Sequence, residues 1–148
     1  MSIQNEVMQQ MKEAMKSKDT IALESLRALK SAFLLANTSG SGVELSESDE
    51  IKIVQKLVKQ RKDSAAIFAE QGRNDLAEPE LSQAEVLERF LPVQMSEEEV
   101  KAAIEAIIAD TGASGMKDMG RVMGVASKQM AGKADGKTIS GIVKSLLS

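Results

Sequence analysis

The run Gly-Lys-Ala-Asp-Gly-Lys-Thr (Gly132–Thr138) holds residue types that could cradle a phosphate. Glycine amides approach closely, lysines neutralise charge, and a threonine hydroxyl can reach a metal-bound nucleotide. A nucleotide-binding loop needs four residues between its first glycine and the Gly-Lys-Thr, and a strand before it. Here three intervene, the required position is Ala131, and a methionine-rich helical pattern precedes. Nucleotide hydrolysis is therefore not expected. Two readings remain. Free amides at the start of the last helix, beside Lys133 and Lys137, would suit a phosphate. Otherwise the segment is a helix–turn–helix connection with solvated lysines.

Charge favours the first reading. From Met116 to the end, Lys117, Arg121, Lys128, Lys133, Lys137 and Lys144 stand against Asp118 and Asp135, a balance of +4 on a chain of net charge −3. The preceding residues must then carry −7. A basic, glycine-rich end on an acidic body points to a polyanion as partner. Within it, Lys117 and Arg121 are four apart, as are Gly120 and Gly124, so they share one stretch of helix. Each glycine costs roughly 1 kcal/mol against alanine in a helix interior. A neighbouring helix packed closely on them is the expected compensation, and an RNA backbone is the alternative. Lys56, Lys59, Arg61 and Lys62 form a second basic cluster, read as a solvated helix face.

Composition removes much chemistry. With no histidine and no cysteine among 148 residues, there is no ordinary neutral-pH base, no thiol nucleophile and little to ligate zinc or an iron–sulfur cluster. Neither a catalytic triad nor a disulfide can form. Glu97, Glu98 and Glu99 fall in a first helical turn, where they oppose the helix dipole; they are not catalytic candidates. Met1–Lys18 is polar and amphipathic, and no run reaches the roughly 18–20 apolar residues that span a bilayer. The expectation is a soluble cytoplasmic protein.

Positioning those residues falls to helices. Only three aromatics occur, while alanine, leucine, lysine, glutamate and glutamine dominate. Ile3, Val7, Met11 and Met15 predict a first helix over about 2–17. Asp19 caps a second, with Ile21, Leu23, Leu26, Leu29, Ala32, Phe33 and Ala36 inward. Asn37–Gly42 reads as a loop. Ser46 and Asp49 form a capping box for a helix over about 47–71, with Ile51, Val54, Leu57, Val58, Ala65 and Phe68 inward and Gly72 as its left-handed stop. A fourth helix covers about 74–90, with Pro79 as its true start or a kink. Leu91-Pro92 ends it.

Ser96 and Glu99 cap a fifth helix, with Val100, Ala103, Ile104 and Ile107 inward, and Gly112 stops it. Met116, Met119, Met123, Ala126 and Met130 repeat at helical spacing. That stripe is read as core in preference to a peptide groove or soft-metal site. Gly132 ends this helix and Asp135 caps the last, with Ile139, Ile142, Val143 and Leu146 inward. The fold class is all-α: a four-helix unit over 1–93 and a small three-helix bundle over 94–148, joined near Pro92–Met95.

The chain also resembles the YqeY family, whose domain recurs as the C-terminal tail of the B subunit of the tRNA-dependent Asp/Glu-tRNA amidotransferase. The matching pieces are Leu26–Leu29, Lys59–Ser64, Gly72–Ala77, Leu87–Pro92, Thr111–Ser114, Met116–Gly124 and Gly132–Gly136. Pro79 departs from the pattern, which continues a charged helical stretch there. The resemblance implies two helical subdomains and a link to glutamine-dependent amidation of mischarged tRNA, under the family label of carbon–nitrogen ligase with glutamine as amido-N-donor. It implies tRNA as partner, beside an amidotransferase or aminoacyl-tRNA synthetase. Lys117, Arg121, Lys133 and Lys137 take the motif's basic positions, and Gly120, Gly124, Gly132 and Gly136 its glycines.

Independent catalysis, a cofactor, a metal, DNA and a membrane are not expected. Single-stranded RNA is usually gripped by aromatic stacking, yet Phe33, Phe68 and Phe90 all fall at expected core positions. Any RNA bound should therefore be structured, read through phosphates, 2′-hydroxyls and shape. The competing reading is a helical protein–protein adaptor that touches no RNA.

Overall fold

A computed structural model describes residues 2–39 and 45–148. All regular structure among them is helical: α1 (Ile3–Ser17), α2 (Thr20–Ser39), α3 (Glu47–Glu70), α4 (Asn74–Glu88), α5 (Glu97–Thr111), a single 3-10 turn (Met116–Asp118), α6 (Met119–Gln129) and α7 (Gly136–Leu147). The chain separates into two compact units, Met1–Leu91 and Pro92–Ser148. No helix among the described residues is long and apolar enough to cross a membrane.

Local sequence chemistry sets the helix ends. Ser2 accepts from the Asn5 amide and Asp19 from the Ala22 amide, each opening a helix. Ser46 and Asp49 exchange side-chain-to-amide bonds at the start of α3, and Ser96 and Glu99 do so at α5. Gly72, at φ 73°, closes α3. Its amide donates to the Ala69 carbonyl and that of Arg73 to Phe68, the paired bonds of a Schellman stop. Gly112 ends α5 at φ 69°.

In the first unit, α3 and α4 pack along each other, and α2 packs on α1, α3 and α4. Val7, Leu26, Leu29, Phe33, Val54, Leu87 and Phe90 form the centre of its core. Fully burying a side chain of this size contributes about 1.5–3 kcal/mol. One core-facing group is charged: Glu50 of α3 is buried and accepts the Gln4 amide at 3.0 Å. It satisfies one of the free amides that begin α1 and sits at the positive end of that helix. In the second unit α5, α6 and α7 pack pairwise around Val100, Ile104, Val122, Ala126, Met130, Ile139 and Val143.

Several expectations need correction. The helix does not stop at Asn37: α2 continues through Asn37, Thr38 and Ser39. Thr38 Oγ1 donates back to the Leu34 and Leu35 carbonyls, and Asn37 Nδ2 donates to Gln4 Oε1, so the Asn37 and Thr38 side chains find partners without leaving the helix. The rest of the expected loop, residues 40–42, lies outside the described residues. Pro79 is not the start of α4, which begins at Asn74 and runs through it. The Arg73 carbonyl accepts the Leu76 and Ala77 amides and its guanidinium pairs with Asp75, securing the first turn upstream of the proline. Met15 and Ile21 are exposed, and Phe68 is only half-buried, in the part of α3 beyond the core cluster. The methionine stripe is broken too. Met116 is exposed on the 3-10 turn, whereas Met119, Met123 and Met130 pack inward.

Candidate nucleic-acid interface

The expected site residues lie on one helical hairpin and the turn before it. Lys117 is on the 3-10 turn, Gly120, Arg121 and Gly124 are on α6, Gly132 and Lys133 are in the connection Met130–Asp135, and Gly136 and Lys137 open α7. A six-residue connection between packed helices makes α6 and α7 antiparallel neighbours. The contact of the 3-10 turn with α7 fits that direction. The predicted cations thus fall into two groups rather than one. Lys117 and Arg121 are at the open end of the hairpin, and Lys133 and Lys137 at the turn. The length of α6, about 16 Å at 1.5 Å per residue, separates them.

The connection is tightly tied. Gly132 is buried with φ 78°, a left-handed conformation that favours glycine. Its carbonyl accepts Gln94 Nε2 at 2.7 Å, and the Lys133 carbonyl accepts the Met95 amide at 2.9 Å. Gly132 therefore shapes the turn and offers no surface to a ligand. Asp135 accepts the Thr138 amide at 2.7 Å and the Thr138 hydroxyl at 3.1 Å. The start of α7 already has a carboxylate where a phosphate would sit. This corrects the phosphate-at-the-amides reading of Gly132–Thr138 and leaves Lys133 and Lys137 as side-chain cations only.

Gly120 and Gly124 are exposed, and a Cβ added at either meets nothing within 4 Å. The expected packing of a neighbouring helix on them is not found among the described residues. Gly136 and Gly141 are equally open.

Electrostatics distinguish this hairpin from the basic cluster on α3. Arg121 pairs with Asp118 at 3.2 Å, and Asp118 also accepts the Ser114 amide, pinning the loop before the 3-10 turn. Lys117, Lys128, Lys133, Lys137 and Lys144 are exposed and form no ion pair among the described residues. Lys128 and Lys144 were absent from the sequence-derived site. Their signal was present as seven-residue spacing from Arg121 and from Lys137, which returns each to the same helix face. On α3, by contrast, Lys59 bonds Asp63 at 2.9 Å, Lys62 pairs with Glu88, and Arg61 donates to Gln83 and to the Leu57 carbonyl.

The architecture is that of an all-helical protein of two units, the second of which carries an open cationic hairpin. The family model described as Yqey-like protein matches residues 4–147, and the chain belongs to that family. It is 33% identical over 139 residues to altered inheritance of mitochondria protein 41 of Kluyveromyces lactis, covering 92% of this chain and 71% of that one. The protein of the same name in Clavispora lusitaniae is 36% identical over 94 residues, covering 62% of this chain and 54% of its relative. A glutamyl-tRNA(Gln) amidotransferase subunit of Thermococcus gammatolerans is 32% identical over 106 residues, which span 69% of this chain but 17% of that protein.

The two fungal relatives are mitochondrial by name, which overturns the cytoplasmic location expected above. The expectation rested on the lack of cysteine, the polar, amphipathic Met1–Lys18 and the lack of a bilayer-length apolar run, none of which singles out the cytoplasm among reducing aqueous compartments.

Proposed function

We propose that this chain is a tRNA-associated accessory module linked to glutamine-dependent amidation of mischarged tRNA, and that its C-terminal hairpin meets the RNA. The observation that carries the reading is the row of exposed, unpaired lysines on the 3-10 turn, α6, the connection and α7. Similarity to an amidotransferase component named for Glu-tRNA(Gln) supports the choice of tRNA. The module works beside an amidotransferase or aminoacyl-tRNA synthetase and does not perform the amidation itself. The chain holds no cysteine nucleophile and no histidine base.

Phe33 and Phe90 are buried, and tyrosine and tryptophan are absent. No exposed ring pair is available to stack unpaired bases, so folded RNA is preferred to single strands. The test is a titration of a folded tRNA transcript and of an oligouridylate of the same length at low salt. The proposal expects the transcript to bind more tightly. Absence of transcript binding at low salt sinks it.

A second reading has its own observation. A groove of about 360 Å³ between α3 and α4 is lined by Ala65, Ala66, Ala69, Ala77 and the exposed Leu81. It favours a protein-contact role for the first unit, compatible with RNA binding by the second.

A further inference from the structure

The sequence-derived site spreads cations over the 3-10 turn, α6, the connection and α7. The hairpin selects a tighter set. In α6, which ends at Gln129, Lys128 is one residue from the end, Gly124 five and Arg121 eight. In α7, which starts at Gly136, Lys137 is one residue in, Gly141 five and Lys144 eight. The helices are antiparallel and joined at those ends, so equal counts bring equal levels. Lys128 lies level with Lys137, and Arg121 level with Lys144. Gly124 and Gly141 fall between the two levels. All six are exposed, and each trio lies opposite the buried residues of its helix, Val122 and Ala126 in α6, Ile139 and Val143 in α7.

The result is two rails of paired cations that cross the hairpin, about 10 Å apart along its axis by helical rise. Between them Gly124 and Gly141 carry no side chain on the outward face, with the exposed Val125 beside Gly124. We infer that this quartet, Arg121, Lys128, Lys137 and Lys144, is a saddle for one sugar–phosphate ridge of a folded RNA, which runs across the two helices with a rail on either side. The inference rests on the RNA-binding reading above and adds which residues make the contact and in what direction the strand runs. Lysine and arginine side chains are long enough to lean over a ridge from both rails, and the gap between them admits it close to the helix backbones. Asp118, which pairs with Arg121 and accepts the Ser114 amide, and Asp135, which caps α7 two residues before Lys137, are the acids near the rails, and both are engaged at helix starts. Acids elsewhere in the unit are concentrated on α5, where Glu97, Glu98, Glu99, Glu105 and Asp110 face only Lys101. That helix repels a polyanion and leaves the hairpin as the attractive side.

The test uses the full chain and a folded tRNA transcript, titrated across salt concentrations. Each of R121A, K128A, K137A and K144A should flatten the slope of log affinity against log salt by about one unit, K117A and K133A should flatten it less, and K101A on α5 should leave it unchanged. G124L with G141L keeps every charge but fills the gap, and should weaken binding by about tenfold. Open space at both positions and the higher helix propensity of leucine mean that the melting temperature should not fall. Three results are decisive against the idea. If the wild type binds but the quartet variants bind like it, the saddle is wrong and RNA binding stands. If K117A and K133A carry the loss, the contact lies at the hairpin ends instead. If the wild type does not bind the transcript at low salt, both the saddle and the reading beneath it fail.

Discussion

Two basic clusters of similar size have opposite fates in this fold. On α3, Lys59, Arg61 and Lys62 are engaged by Asp63, Gln83, Leu57 and Glu88, so their charge is used within the first unit. On the hairpin of the second unit, the lysines form no ion pair among the described residues, and Arg121 pairs with Asp118. The number of cations is not what separates a binding face from a solvated one. The difference lies in whether an acid sits one turn away or on the neighbouring helix. In α3, Asp63 follows Lys59 by four residues, and α4 brings Glu88 to Lys62. From Met116 onward the only acids are Asp118 and Asp135, and both are occupied at helix starts.

Core substitutions should break the comparison most heavily, because they remove the scaffold under either cluster. Leu87→Ala in the first unit and Ile104→Ala in the second each truncate a side chain with no exposed surface. Each should cost about 2–5 kcal/mol in denaturant unfolding. A loss under about 1 kcal/mol at either would show that the core assignment is wrong there.

Capping comes next and treats the units alike. Ser46→Ala and Ser96→Ala each remove the side chain that accepts an N3 amide and should cost about 1 kcal/mol. Unequal losses would mean that one of the two boxes is not formed in solution.

Gly120→Ala sharpens the comparison in the opposite sense. Its Cβ enters open space, so the substitution should raise stability by up to about 1 kcal/mol. A fall in melting temperature would reveal a close neighbour at this glycine.

The smallest effect is acid sensitivity, and it belongs to the first unit. Hydrogen bonds from Ser46 hold the Asp49 carboxyl below its ordinary range, and the Arg73 guanidinium does the same for Asp75. A carboxylate with a lowered folded-state pKa stabilises above its unfolded pKa, and that contribution fades as pH falls through the folded value. Asp49→Asn and Asp75→Asn should therefore lower the melting temperature slightly near neutrality and not at strongly acidic pH. Both groups are exposed, so the change is small. An equal loss at both pH values would detach it from ionisation.

Most of the fold was legible because helix ends are local. Ser46–Asp49, Ser96–Glu99, Gly72, Gly112 and Asp135 all act within a few residues of themselves, and each occupies the cap or stop its sequence context implies. Features that depend on distant neighbours were harder to read. Periodicity placed Phe68 inward, but Phe68 lies outside the core cluster and is only half-buried. The stretch from Asn37 reads as a breaker until Gln4 supplies a partner from α1. Glu50, in the first turn of α3, is buried against the start of α1, a contact that joins residues 46 positions apart. The candidate site rests in the sequence on a charge imbalance and a set of glycines. Its geometry was not legible there, because the pairing of α6 levels with α7 levels depends on where both helices end.

The central claim is that the hairpin cations, and not the α3 cluster, meet tRNA. Its most direct measurement is the salt dependence of tRNA-transcript affinity for three proteins: wild type, the Arg121/Lys128/Lys137/Lys144 alanine variant, and the Lys56/Lys59/Arg61/Lys62 alanine variant. About four phosphate contacts give a wild-type log–log slope near −3 to −4. The account predicts that slope for the α3 variant as well, and a slope near zero with greatly weakened binding for the hairpin variant. A hairpin variant that keeps the wild-type slope while the α3 variant loses it would contradict the account.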